Sequence, residues 1–385
     1  MKKRIKILNA GDLHIGAVPS ERFEKELDLI IETIKEELPD VVILNGDIFH
    51  YRLNLDSSDS KLAMKFLTDL CDLTGSLNII LRVIKGTLTH DYSQLENYIP
   101  LEEKFPHFGI ASTVCSEELF PDFFVLWVPE EYPNDYKSYY NEFFYDENNN
   151  PIIYDAIFGH GEIDVAGDWS NRGTSESEKY YVGTPIHSAE TLLNHSKSVV
   201  AFGHIHVEFL YKKRLYYPGS FSRFAHGEEE AKGFTIITLT RKEDNSYDIN
   251  FKRIENKLAG IYQTINYLDI INSSMELDEM VNIVKEACKK VTKLRIKFEP
   301  NHFLSLEQAS VFRGALVNER NLQIDMPAFV PKTKTENTDE NIKDEENFSY
   351  IRNTTIPLVE RIQKFTNENT QGNTLSKEDI IDTIA

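Results

Sequence analysis

At 385 residues the chain exceeds what one hydrophobic core usually holds, which implies a main domain of roughly 200 to 300 residues and a smaller addition. Hydrophobic residues make up 41% and aromatics 11%, so a wholly disordered or fibrous chain is excluded. With 62 acidic against 42 basic residues the net charge is −20, which excludes holding nucleic acid or membrane by bulk charge; any DNA contact has to be local.

The apolar pattern alternates short strands with amphipathic helices: a strand at 5–11 (IKILNAG), a helix over 20–38, a strand at 41–47 (VVILNGD), a helix over 59–73, and a strand at 78–86 (NIILRVIKG). This is a βαβαβ pattern, the mark of an α/β fold. In the first helix Phe23, Leu27, Ile30, Ile31, Ile34 and Leu38 keep helical spacing, Ser20 stands where an N-cap belongs, and Pro39 ends the run. Further strands are expected at 123–128 (FFVLWV), 152–158 (IIYDAIF) and 198–202 (SVVAF). RLYYPG, GFTIITL and YDINFKRI then follow closely enough to finish the sheet with antiparallel hairpins near residue 255.

A second unit follows, a small α+β domain: a strand at 262–270, a helix over 276–291, the strand LRIKF, a helix over 305–318 and the strand NLQIDM. Residues 331–349 are polar and acidic and cannot bury enough surface to offset their ordering entropy, so they are expected to be a linker. Two short amphipathic patterns close the chain, one on Ile356, Val359, Ile362 and Phe365, the other on Ile380, Ile381 and Ile384. The divisions fall at 1–257, 258–330, 331–349 and 350–385.

No apolar run approaches the roughly 18 residues of a membrane span, and the basic start carries no apolar segment of signal-peptide length, so a soluble cytoplasmic protein is expected. The three cysteines, Cys71, Cys115 and Cys288, are far apart and form no CxxC pair. They are expected to be reduced core thiols.

Polar residues interrupt the apolar runs at one recurring place. Asp12 and His14 follow the first strand, Asp47 the second, His90 and Asp91 the third, His160 the strand IIYDAIF, and His204 with His206 the strand SVVAF. Ligand sites in α/β sheets form at the carboxyl ends of strands, so residues as distant as Asp12 and His206 can meet there. Imidazole nitrogens mixed with carboxylate oxygens suit Mn, Fe or Zn rather than calcium, and a carboxylate can bridge two ions.

The ordered series DLHIG, NGDIF, GTLTHD, FGHG and FGHIH resembles the motif series of calcineurin-like metallophosphoesterases. Within that superfamily the chain is similar to the nuclease subunit of the SbcCD type, through those motifs, the segment YYPGSFSRFAHGEE, the small α+β unit and the helical tail. The resemblance implies a β-sandwich flanked by helices, with 258–330 as a capping domain that contacts DNA. It implies two Mn2+ ions, with Mg2+, Fe2+ or Zn2+ as alternatives. Asp12, His14, Asp47 and His206 would hold the first, and Asp47, His160 and His204 the second. His90 would protonate the leaving oxygen, oriented by Asp91. It also implies DNA phosphodiester hydrolysis, a homodimer, and a coiled-coil ATPase partner of the SbcC kind gripped by 350–385. The alternatives are a phosphoesterase for a small nucleotide or phosphoprotein, and a scaffold of the ATPase complex with weakened catalysis.

The family's third motif carries an Asn immediately before its His as a ligand of the second metal. Here Thr89 stands at that place, two extra residues follow Gly86, and there is no Asn. Thr89, Thr87 or a water is expected to stand in, and the second ion to bind more weakly. His50, His107, His187, His195, His226 and His302 are read as surface or packing histidines, His50 lying near enough to Asp47 to reach the edge of the site. Trp127 is read as core, and Trp169 as a loop residue that either packs or stacks on a base. Lys289, Lys290, Lys293 and Arg295 lie in a basic run that is ordinarily a solvated face; its place in the capping domain makes them candidates for phosphate contact.

Overall fold

Strand β1 (Arg4–Ala10) is buried on both faces over most of its length, and a strand of that kind has to lie between two layers. The computed structural model of the protein describes residues 2–91, 93–165, 185–266, 276–298 and 304–325, all of them within one compact unit, Met1–Pro327. The expected linker and tail, Trp169 and His302 lie outside the described residues.

After β1 come α1 (Ser20–Glu37), β2 (Val41–Asn45), α2 (Ser58–Ser76), β3 (Ile80–Ile84), α3 (Ile99–Lys104) and β4 (Phe108–Ala111). Ser20 is not the cap that its position suggests: it is the first helical residue, Pro19 holds the N-cap place, and the Ser20 hydroxyl hydrogen-bonds instead to Asp59 on α2. Leu38, in the left-handed region with φ 46°, ends α1 before Pro39. The chain continues through β5 (Cys115–Phe120), β6 (Phe123–Val128), α4 (Tyr136–Phe144), β7 (Ala156–His160), the short pair β8 (Glu162–Ile163) and β9 (Ile186–His187), α5 (Ala189–Asn194), β10 (Val200–Gly203), β11 (Phe209–Tyr211) and β12 (Leu215–Tyr217). It then forms the long hairpin β13 (Gly233–Arg241) and β14 (Tyr247–Glu255).

The strands form two six-stranded sheets, in the orders β14-β13-β1-β2-β3-β4 and β11-β12-β10-β7-β6-β5. The single run of strands read from the apolar pattern is therefore divided between two sheets, in agreement with the β-sandwich that the family resemblance implies. The β13–β14 hairpin returns to pair antiparallel with β1, whereas β12 pairs parallel with β10 in the other sheet. Alternation along the strands explains the layering. Ile5, Ile7, Val41 and Ile43 point into an interior shared with Val125, Trp127, Phe158 and Ala201 of the opposite sheet. Their neighbours Leu8, Val42 and Leu44 pack outward under α1 and α2. On the far side, Leu126, Ile157 and Phe202 pack under α4 and α5. The result is a sandwich of two sheets between helices, in which each fully buried aliphatic side chain contributes about 1.5–3 kcal/mol. Near the open edge Arg82 of β3 hydrogen-bonds Glu117 of β5, tying the two sheets together. Trp127 is core, as expected, while Cys115 is exposed, unlike Cys71 and Cys288.

The small sheet is parallel, in the order β15 (Tyr262–Asn266), β16 (Lys293–Lys297) and β17 (Leu322–Asp325), with α6 (Leu277–Cys288) and α7 (Leu306–Ala315) packed on it. Along β16, Leu294 and Ile296 enter that core, which turns Lys293, Arg295 and Lys297 to the other face.

Candidate metal centre

The functional side chains converge where the carboxyl ends of β1, β2 and β3 in one sheet meet those of β7 and β10 in the other. Past the strands, the loops after β1 and β2 stay zipped together: Asp12 N–H donates to the Gly46 carbonyl at 3.1 Å, and His14 N–H to the Asp47 carbonyl at 2.9 Å. Asp12, His14, Asp47 and His204 all have positive φ, at 53°, 49°, 50° and 104°. Left-handed backbone costs a non-glycine residue on the order of 1–3 kcal/mol, and it persists where the surroundings hold it for a purpose. Two glycines allow the sheets to approach. A Cβ on Gly46 would lie 2.4 Å from His160 Nδ1, and one on Gly203 would lie 2.1 Å from the Asn45 carbonyl oxygen.

Two groups of potential ligand atoms result, each within 4.8 Å: Asp12, His14 and His206, and Asp47, His160 and His204. In the first, His14 Nε2 and His206 Nε2 are 3.0 Å apart, a separation at which two nitrogens share a proton or a cation. The groups meet at one atom. Asp47 Oδ2 lies 3.3 Å from His160 Nε2 and 3.9 Å from His14 Nε2. Backbone groups fix the ring orientations: His160 Nδ1 donates to the Asn45 carbonyl at 2.6 Å, which turns Nε2 into the cluster. Asp12 is aimed by the His204 N–H, which it accepts at 2.9 Å.

Burial opposes charge throughout. It pushes His14 well below the ordinary imidazole range, with His90 and His206 adding to the effect, and it raises the Asp12 carboxyl. At Asp47 burial is outweighed by His160, so the carboxyl lies well below its usual range, and His160, against the same burial, is held well above its own by Asp47. Buried imidazoles facing buried carboxylates fit divalent Mn, Fe or Zn.

A third group joins His14, His50 and His90. His50 is therefore part of the site rather than a packing residue, its ring stacked on that of His90 at 5.7 Å between centroids. The expected role of Asp91 is corrected. Its carboxylate accepts from the N–H groups of Asp47, Ile48, Phe49 and Gly86, at 3.0, 2.8, 3.2 and 2.7 Å, and so it clasps the loops after β2 and β3. His90 is oriented instead through Nδ1, 2.6 Å from the His50 carbonyl oxygen. Burial, reinforced by the charge of Asp47, raises the Asp91 carboxyl to about 7.

Thr89 is corrected as well. The hydroxyl that reaches the cluster is that of Thr87, 3.2 Å from Asp47 Oδ2 and 3.3 Å from His160 Nε2, because Thr87 directly follows Gly86 and the two extra residues fall after it. Two carboxylates escaped the sequence reading. Glu130, two residues past β6 and 1% exposed, puts Oε2 within 3.9 Å of both His160 Nε2 and His204 Nδ1. Glu228, in the segment after the last motif, places Oε1 2.9 Å from His206 Nδ1. The position of Glu228 within YYPGSFSRFAHGEE was the available signal; for Glu130 there was only a carboxylate just beyond a strand.

The basic candidates divide. Lys293 borders a cleft of about 780 Å³ with Arg22, Arg320 and Tyr262, and Arg295 shares its face of the small sheet. Lys289 pairs with Glu286, and Lys290 borders a separate groove beside α6. His107 hydrogen-bonds groups of α2, His195 is tied to the Ile152 carbonyl, His187 is buried against Tyr140, and His226 meets Tyr262 edge to face; none of them belongs to either ligand group.

Comparison with known proteins bears on this geometry. The chain is 22% identical over 301 residues to "Putative phosphoesterase 244L" of Invertebrate iridescent virus 6, covering 74% of this chain and 93% of that one. It is 24% identical over 300 residues to the D component of the nuclease SbcCD from Staphylococcus saprophyticus, covering 72% and 76%. Among solved structures, a dimetal phosphatase from Danio rerio superposes with a TM-score of 0.36 and 9% identity over 66% of this chain and 96% of its own, too loose a likeness to bear on substrate. The sequence profile of the calcineurin-like phosphoesterases, whose members use a dinuclear metal site, matches residues 5–208, which hold both ligand groups. The chain belongs to the calcineurin-like phosphoesterase family and is a metal-dependent phosphoester hydrolase.

Proposed function

We propose that the protein is a Mn-dependent DNA nuclease, the hydrolytic subunit of an SbcCD-like repair or recombination complex. The observation that carries the two-ion reading is the placement of Asp47 Oδ2 between the two ligand groups. Asp12, His14, Asp47 and His206 would hold one ion, and Asp47, His160 and His204 the other. Such ions, when bound, polarise a phosphoryl group and lower the pKa of a coordinated water. The chain's own groups supply the rest. With Nδ1 engaged by the His50 carbonyl, His90 exchanges a proton with the leaving oxygen through Nε2. The Asp91 carboxylate keeps the loops carrying Asp47 and His90 together.

The choice of DNA rests on two supports. The match to the nuclease subunit covers 72% of the chain, more than residues 5–208, and so runs past the phosphoesterase domain. Lys293 lines the cleft together with Arg22 and Arg320, and the three outnumber its acidic residues Glu21 and Asp59. Arg295 shares the Lys293 face of the small sheet beside Asp325, so the cleft is less acidic than the chain as a whole and suited to phosphate contact. On this reading 258–330 is a DNA-contacting cap, residues 350–385 bind a coiled-coil ATPase of the SbcC kind, and the protein works as a cytoplasmic homodimer. Among the described residues no helix is long and apolar enough to cross a membrane. The test is hydrolysis of duplex DNA, single-stranded DNA and a small chromogenic phosphodiester, each with Mn2+, Mg2+ and chelator. Mn-dependent DNA cleavage is expected; cleavage of the small diester alone would reject the nuclease assignment.

A further inference from the structure

The Glu130 carboxylate is 1% exposed, and among the described residues it has no Lys or Arg nitrogen within 4.0 Å. Its two oxygens are used differently. Oε1 accepts the hydroxyl of Tyr132, which anchors the group. Oε2 faces the second ligand group, 3.9 Å from His160 Nε2, 3.9 Å from His204 Nδ1 and 3.4 Å from the Thr87 hydroxyl. Donor atoms that share an ion at about 2.0–2.2 Å stand roughly 3–4 Å from one another, which is the spacing found here. A buried anion is strongly unfavourable without a counter-charge, and the groups that face Oε2 are imidazoles whose nitrogens can equally bind a metal, so a carboxylate held in this way suits a cation that comes from solution.

Resting on the two-ion reading above, we propose that Glu130 is a ligand of the second metal ion, completing the set Asp47, His160 and His204 in place of the amide that the GTLTHD motif lacks. A carboxylate replaces a neutral donor, so the second ion faces two negative charges rather than one. The expectation drawn from Thr89 alone, a weakly held second ion, is thereby reversed. Thr87 keeps a lesser part: its hydroxyl lies between Asp47 Oδ2 and Glu130 Oε2 and holds the two carboxylates in register.

The test is Mn2+ titration of the full-length protein by calorimetry, with electron paramagnetic resonance to separate coupled from isolated ions, on wild type, Glu130→Gln and Glu130→Ala. Wild type is expected to take up two ions and show a spin-coupled pair. Both variants should keep the first ion at unchanged affinity, lose at least tenfold in affinity for the second, and show isolated Mn2+. Metal-free Glu130→Gln should melt no lower than metal-free wild type, since a buried carboxylate with no Lys or Arg partner among the described residues has been removed, yet gain less from added Mn2+. A lower metal-free melting temperature with two tight ions would make Glu130 a structural residue and overturn the assignment. Unchanged second-ion affinity in both variants would overturn it too, while leaving the hydrolase reading intact. A wild-type protein that takes up one ion or none would overturn the two-ion reading on which the assignment rests.

Discussion

Glu228 Oε1 and His206 Nδ1 lie 2.9 Å apart, both side chains nearly fully buried, and the contact sets the direction in which His206 Nε2 points. The other Glu228 oxygen is 3.4 Å from Nζ of Lys232, a buried ammonium that also donates to the His206 carbonyl at 3.0 Å. Burial alone would raise the Glu228 carboxyl, but His206 and Lys232 bring it below its ordinary range. This carboxylate–histidine arrangement raises the basicity of a ligand and locks its ring.

Glu228→Gln is therefore expected to weaken the first ion by about 10- to 100-fold, the range typical for loss of an outer partner of a ligating histidine. The second ion should be unaffected. Mn2+ titration separates the two, and equal affinities for both ions in the variant and wild type would show that His206 needs no carboxylate to aim it.

His14→Ala and His90→Asn should fail in different ways. The first removes a nitrogen from the Asp12, His14 and His206 group, so first-ion occupancy and hydrolysis should both disappear. The second leaves both groups intact. Metal content should stay near wild type while turnover falls by about 100-fold or more, as for loss of a general acid. Metal analysis beside kcat measurement decides the matter; loss of metal in His90→Asn would make His90 a ligand.

His187 supplies a pH-dependent stability term. Buried at 6% exposure against Tyr140 and Phe202, its imidazole is pushed by burial from 6.5 down to about 4. The folded protein keeps it neutral while the unfolded chain protonates it. The stability it contributes is complete above pH 6.5 and drains away as the pH falls toward 4. Relative to His187→Phe, wild type should lose on the order of 2–3 kcal/mol more between pH 7 and pH 4. Urea melts of both proteins across that range measure it, and parallel curves would show the imidazole titrating normally.

A chain ending at Pro331 should keep Mn-dependent hydrolysis of simple substrates, since both ligand groups lie before residue 208. On the proposed reading it should lose most affinity for an SbcC-like ATPase subunit, because the apolar positions Ile356, Val359, Ile362 and Phe365 and Ile380, Ile381 and Ile384 of the sequence pattern would be gone. Pull-down of truncated and full-length chains by that subunit is the comparison, and equal capture would remove the tail as the tether.

What the sequence determined by itself was the strand ends. Short apolar runs closed by Gly-Asp, Gly-His or Asp-x-His declare both a strand and the polar residue at its tip, and all six of Asp12, His14, Asp47, His160, His204 and His206 stood at such tips. Helix α1 was legible for the same local reason, its apolar spacing running to Pro39. Only the tertiary structure decided which strands each sheet takes, β1–β3 in one and β7 and β10 in the other, because that division depends on which strands pair across long stretches of chain. It also decided that Thr87 rather than Thr89 reaches Asp47, that Asp91 clasps backbone while the His50 carbonyl holds His90, and that Glu130 and Glu228 are buried beside histidines. Along the chain a buried carboxylate is indistinguishable from the many exposed ones in so acidic a protein; its partners come from other strands, and only packing sets the solvation and charge that make it functional.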